Sequence, residues 1–308
     1  LRNLFIDNSE TLLFHVYEAI SQPQSVIDGL SIFNGFLQWS DYNSISNTIP
    51  ILQRICFEFV YQNAYKDASI ECLTTLFNIR TDGSAYASFV PLIITSFGSA
   101  DAKFENSQHI TSDQNVLGFL EKLLLRFLQP VLMIFDPTLS DENPPTERTM
   151  AIIQTCQKFG IEQSQIHQCL QSILGVILSQ RSPENLDESF WTFWVNIFMQ
   201  MNIEAKLRTQ RFQPLTVFLK PSLPQIRQAI YQCVPLDLQD DNYNEDKLKS
   251  EKETGIYTPS DVYTFCSNRS RVAWSHLCQL DVPGAIEFIK QQDPSTALCY
   301  AIGNLDLC

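Results

Sequence analysis

The chain has 308 residues, 44% of them apolar and only 18% charged, with ten Gly. That composition excludes a disordered chain, and so few Gly disfavour a sheet-rich or phosphate-cradling fold. The net charge of −13 repels nucleic acid and anionic membranes, so neither is expected as a direct partner; it fits a basic protein partner, although many proteins are simply acidic.

Ser9 to Ile20 is an amphipathic helix with Leu12, Leu13, Val16 and Ile20 inward, broken by Ser21-Gln22-Pro23. The stretch from Val26 to Ile79 then reads as helix, turn, helix, turn, helix. Its second helix carries Ile51, Leu52, Ile55, Cys56 and Phe59 at helical spacing. Its third begins near Lys66 and carries Ile70, Leu73, Leu76 and Phe77. Helices that are dry on more than one side must pack between neighbours, which predicts stacked helical hairpins.

Asp82-Gly83-Ser84 reads as a turn, and Tyr86 to Phe97 as the next helix, with Pro91 in its first turns. A polar loop is expected from Gly98 to Thr111. Ser112 is a candidate N-cap for a long helix to Phe135, kinked at Pro130. Asp136 to Pro145 is a Pro-rich acidic linker, followed by helices at Glu147 to Phe159 and Gln163 to Ser179. Ser182-Pro183-Glu184 is a helix start, and its helix holds Phe190, Trp191, Phe193, Trp194, Ile197, Phe198 and Met201 as core. Phe212 to Cys233 is helical with breaks at Pro221 and Pro224.

Composition changes at Leu236 to Tyr257, where Asp237, Asp240, Asp241, Glu245, Asp246, Glu251 and Glu253 stand in almost no apolar context. This reads as a long solvated loop, a functional switch or a floppy insertion. Thr258-Pro259-Ser260-Asp261 opens a helix to about Leu280, Asp281-Val282-Pro283 a short one through Ile289, and Asp293-Pro294 the last, Ser295 to about Leu305. The fold expected is all-α: one continuous HEAT-repeat helical-hairpin solenoid (an α-α superhelix) over 1–308, with the acidic loop inserted at 236–257. Both ends are apolar where a solenoid needs polar caps, which predicts an internal piece of a longer chain.

No catalytic constellation emerges. There is no Gly-rich phosphate loop, no His-Glu-x-x-His and no Gly-x-Ser-x-Gly, and His15, His109, His167 and His276 are scattered. A Cys299–His276 pair has no local signature to support it. The nine Cys lack zinc spacing, and the acidic loop lacks the Gly and alternation of a calcium loop. Cys56, Cys72, Cys156, Cys169 and Cys278 sit in apolar helical patterns, as reduced core thiols do, which suggests a reducing compartment. No enzyme activity, metal or cofactor is expected, and no run is apolar enough to cross a membrane.

Several pieces, in order, carry a resemblance. They are Ile32-Phe33-Asn34-Gly35-Phe36-Leu37-Gln38-Trp39, then Ala68-Ser69-Ile70-Glu71-Cys72-Leu73-Thr74, Gln114-Asn115 with the Leu/Phe run after them, Arg269 to Leu280 with Asp281, and Thr296-Ala297-Leu298-Cys299-Tyr300-Ala301-Ile302-Gly303. The chain resembles the middle of the exportins, the nuclear export receptors of the importin-β superfamily. It departs from them at Tyr300, where the family usually has Trp, and in the acidic loop, which lacks the usual hairpin form.

The resemblance implies a receptor that shuttles between nucleus and cytoplasm and binds Ran-GTP, nucleoporins and cargo with leucine-rich export signals. On this resemblance the cargo groove is expected on the convex face, with the Cys299 helix as one wall and the partner helices beyond Cys308. Cys299 lies about 100° round from Leu298 and shares a side with Ser295 and Ile302; the resemblance makes these three the groove wall and Cys299 the target of covalent inhibitors. It also makes the acidic loop a candidate for coupling Ran to the groove. Another importin-β transport receptor, or a HEAT scaffold with no transport role, keeps the same fold.

Overall fold

The computed structural model describes residues 8–39, 46–78, 83–105, 114–178, 188–206, 212–233 and 272–291. All regular structure among them is helical, and no strand occurs. The chain divides into two compact units, Leu1–Ser179 and Gln180–Cys308.

In the first unit, α1 (Ser9–Ile20) turns through a 3-10 segment at Pro23–Ser25 into α2 (Val26–Trp39). Leu30, Phe33, Phe36 and Leu37 of α2 are buried. A 3-10 turn leads into α3 (Ile49–Phe57), whose first turn holds Pro50, where a missing N–H costs nothing. The backbone leaves helical geometry at Glu58. Phe59, expected within this helix, therefore lies in a 3-10 turn, Phe59–Tyr61, and is still buried. α4 (Lys66–Asn78) buries Ile70, Cys72, Leu73 and Leu76.

α5 (Gly83–Phe97) corrects two expectations. Gly83 and Ser84 open this helix instead of lying in a turn, and Pro91 stands in its middle. An interior Pro removes one ladder bond and costs about 3 kcal/mol. Burial of Phe89, Val90, Ile93, Ile94 and Phe97 offsets this, at roughly 1.5–3 kcal/mol per large side chain. The polar loop expected at 98–111 contains a further helix, α6 (Ala100–Glu105). Ala100 and Phe104 are both buried, and the Phe104 ring packs 4.8 Å from Tyr61. The N-cap expected at Ser112 lies outside the described residues.

α7 (Gln114–Lys122) runs into a π-helical segment, Leu123–Leu128, then α8 (Gln129–Leu132) and a 3-10 turn at Met133–Phe135. The break expected at Pro130 takes this form. Proline offers no N–H to the carbonyl four residues back, and the ladder widens just before it: Gln129 N–H bonds the Leu124 carbonyl, five residues away. After the loop, α9 (Glu147–Phe159) is capped at both ends. Thr146 Oγ1 accepts from Thr149 N–H at 3.2 Å. Gly160 takes φ 63°, so that Ile161 N–H reaches the Cys156 carbonyl at 2.8 Å. α10 (Gln163–Leu178) completes the unit.

Helix contacts within this unit follow two series: α2 packs on α4 and α4 on α7, while α1 packs on α3, α3 on α5, α5 on α10 and α10 on α6. α9 lies against α5.

In the second unit, α11 (Glu188–Lys206) precedes α12 (Pro214–Leu219), a 3-10 turn at Lys220–Ser222, α13 (Leu223–Cys233), α14 (272–280) and α15 (Val282–Lys290). The seven apolar residues expected as core in α11 are all buried. Trp194 stacks on Phe198 at 5.1 Å and meets Phe193 edge-on at 5.4 Å. Asn202 of α11 donates to the His276 carbonyl of α14 at 3.1 Å. Tyr231 of α13 packs against Trp274 and Phe288.

Candidate functional site

The groove-wall positions Ser295, Cys299 and Ile302 lie outside the described residues, as do Asp237, Asp240, Asp241, Glu245, Asp246, Glu251 and Glu253 of the acidic loop. Two clefts of the first unit are lined by described residues.

The first, of about 590 Å³, lies between α2, α4 and α7. Asn34 is 6% exposed and donates from Nδ2 to Glu71 Oε1 at 2.8 Å. Its Oδ1 is buried without a hydrogen-bond partner, a loss of roughly 1–3 kcal/mol. Glu71 and Thr74 share the rim with Gln114, Asn115 and Lys122. Three of the sequence pieces that carry the exportin resemblance therefore meet at one place. Asp67 and Glu71 against Lys122 give the cleft mixed charge. The acidic side chains stand on the outer face of α4, which periodicity assigns to solvent; nothing in the pattern indicated a cleft there.

The second cleft, of about 440 Å³, lies between α4, α5, the π segment and the start of α9. The Arg148 guanidinium lies over the Tyr86 ring, 4.0 Å from its centroid, a cation–π contact of roughly 0.5–2 kcal/mol. Tyr86 donates its hydroxyl to the Phe127 carbonyl. Burial pushes this phenol well above the usual tyrosine range, and the nearby Arg148 opposes the shift only in part. Tyr86 is thus a neutral donor that holds the π segment against α5. Its ring lies tilted 4.9 Å from that of Phe127, and Phe77 of α4 lies 5.2 Å from the Phe127 ring. Arg126 and Arg148 both line this cleft. Sequence reading passed over both, because a single Arg in a helical stripe carries no signature.

Four of the described thiols are core groups. Cys56, Cys72 and Cys169 are fully buried, and desolvation pushes each up to about 12. Cys72 also bonds the Leu30 carbonyl at 3.3 Å. Cys156 is raised by the same cause. These four are poor nucleophiles at neutral pH. Cys278 is half-buried. No group of His, Cys, Asp and Glu suited to a metal ion occurs among the described residues, and no described helix is long and apolar enough to cross a membrane.

The chain matches no protein-family model, and no curated protein matches it. Its class is therefore defined here by its helical fold alone.

Proposed function

We propose that the chain belongs to a nuclear export receptor of the exportin-1 type, a HEAT-repeat solenoid that binds leucine-rich export signals together with Ran-GTP. The observation that carries this reading is the ordered set of sequence pieces from Ile32 to Gly303. Support comes from the packing of the first three of them around Asn34, Glu71 and Asn115. The two series of helix contacts also suit stacked hairpins. The partners on this reading are Ran-GTP, export cargo and nucleoporins, in shuttling between nucleus and cytoplasm. Nucleic acid is not a direct partner and no segment inserts in a membrane.

A pull-down tests it. The native protein that carries this chain is expected to retain a leucine-rich export peptide far better with Ran-GTP than without it. Equal retention in both conditions would point to a scaffold without transport function. Ran-GTP binding that expels the peptide would point to an import receptor. A second test uses Cys299: peptide mapping after treatment with an α,β-unsaturated lactone should find this Cys labelled ahead of the other eight, since groove binding supplies proximity. Even labelling of all nine removes the groove assignment.

A further inference from the structure

Among the described residues, the cleft between α4, α5, the π segment and α9 is lined by two cations, Arg126 and Arg148, and by no carboxylate. In a chain of net charge −13 that is a local reversal of sign. Neither arginine makes an ion pair with a described residue. By contrast, the neighbouring cleft sets Asp67 and Glu71 against its one Lys.

From this we infer that the Arg126–Arg148 cleft is a binding site for a carboxylate presented beside an apolar side chain, as on a short acidic–apolar stretch of a partner peptide. Several features select this ligand. Arg148 is held before any ligand arrives, because its guanidinium rests on the Tyr86 ring and that ring is fixed by the bond to the Phe127 carbonyl. A fixed planar fork loses little freedom on gripping a carboxylate with two donors. Apart from Asn78, the remaining walls, Leu76, Phe77, Phe89, Leu125 and Pro130, are apolar and need an apolar group against them to exclude water. The volume of about 440 Å³ falls within the range of pre-formed ligand pockets, about 300–1,000 Å³, and the net charge of −13 over the chain disfavours a polyanion such as nucleic acid. The π segment that forms one wall is a helix irregularity of the kind often found at binding sites. This inference does not depend on the export reading.

The test uses the whole 308-residue chain in low-salt buffer and a blocked tripeptide, acetyl-leucyl-glutamyl-leucinamide, measured by calorimetry and ligand-observed magnetic resonance. Saturable binding near the millimolar range is expected. The glutaminyl analogue should bind about 10-fold or more weakly, as loss of a charge-assisted contact implies. Arg148→Gln should weaken binding by about 10-fold, Arg126→Gln by several-fold, and Lys158→Gln, an exposed cation at the far end of α9, not at all. Free acetate should compete poorly; full competition by acetate would show a bare anion site and overturn the apolar half of the inference. Equal binding of the two tripeptides, an equal loss in Lys158→Gln, or no saturation overturns the whole. If Arg148→Gln loses its helical circular dichroism, Arg126→Gln decides, since that side chain is exposed: unchanged binding there overturns the two-cation site.

Discussion

Arg227 of α13 donates from Nη2 to Asp281 Oδ2 at 2.7 Å, and the same carboxylate accepts the Gly284 N–H at 3.2 Å through Oδ1. One side chain thus caps α15 and ties it to α13. Arg227 is 3% exposed, so its charge has been taken out of water and depends on this partner. Asp281→Asn should lower stability by about 2–4 kcal/mol in chemical denaturation, because it leaves a buried cation unpaired. The double change Arg227→Met, Asp281→Leu should lose much less.

The pair has a definite pH signature. The hydrogen bond from Arg227, with help from the Gly284 N–H, holds Asp281 below its ordinary 3.8 against the opposing effect of burial. A lowered carboxylate pKa contributes stability that is present above the unfolded value and lost as pH falls through the folded one. The stability difference between the wild type and Asp281→Asn should therefore be constant above about pH 5 and shrink below 3.8. A difference that grows on acidification would contradict the assignment.

Two glycines separate space from propensity. A Cβ on Gly284 would run into the Asp281 carboxylate and come within 3.0 Å of Arg227 Nη1. Gly284→Ala should therefore cost about 1–3 kcal/mol by overpacking the cap. A Cβ on Gly35, inside α2, would meet nothing within 4 Å. Gly35→Ala should gain about 0.5–1 kcal/mol from helix propensity. Thermal melts of the two variants should move in opposite directions.

Buried thiols set a limit on the alkaline side. Cys56, Cys72 and Cys169 are pushed up to about 12 by desolvation. Groups with a raised folded pKa stabilise below the unfolded value, near 8.5 for cysteine, and that stability is lost as pH rises towards the folded value. Unfolding midpoints should fall between about pH 9 and 12, and Cys56→Ala, Cys72→Ala and Cys169→Ala together should flatten that fall. At pH 7 a small maleimide should spare these three thiols in the folded protein and react with them in denaturant. Rapid native labelling would mean that the helices around them open readily.

Tyr86→Phe removes the donor to the Phe127 carbonyl while keeping the ring under Arg148. A loss of about 1–2 kcal/mol is expected in denaturant titration, the cost of a buried acceptor left without its partner. No loss would mean that water replaces the hydroxyl.

Much of the helical layout was legible because burial repeats with the helical period. α1 and α9 have the bounds expected of them, Ser9–Ile20 and Glu147–Phe159, α15 begins at the Asp281-Val282-Pro283 start, and the seven apolar residues expected as core in α11 are all buried. The misreadings share a cause. Gly83-Ser84 and Pro91 carry strong local turn signals, yet the helix starts at the first and continues through the second because packing of α5 on α3, α9 and α10 outweighs the local preference. α6 was missed because six residues are too few to show a period.

The clefts were not legible at all. Arg126 and Arg148 stand in different helices, and Glu71 and Asn34 are 37 residues apart. What the sequence alone determined is the class of structure, since the spacing of apolar residues and the Pro and Gly punctuation act over a few residues and specify helices directly. What only the tertiary structure decided is which polar side chains share a space. That the Tyr86 hydroxyl meets the π segment, that two arginines line one cleft, and that Asp281 finds Arg227 all depend on how helices pack, and packing is set by side-chain shape summed over many distant contacts.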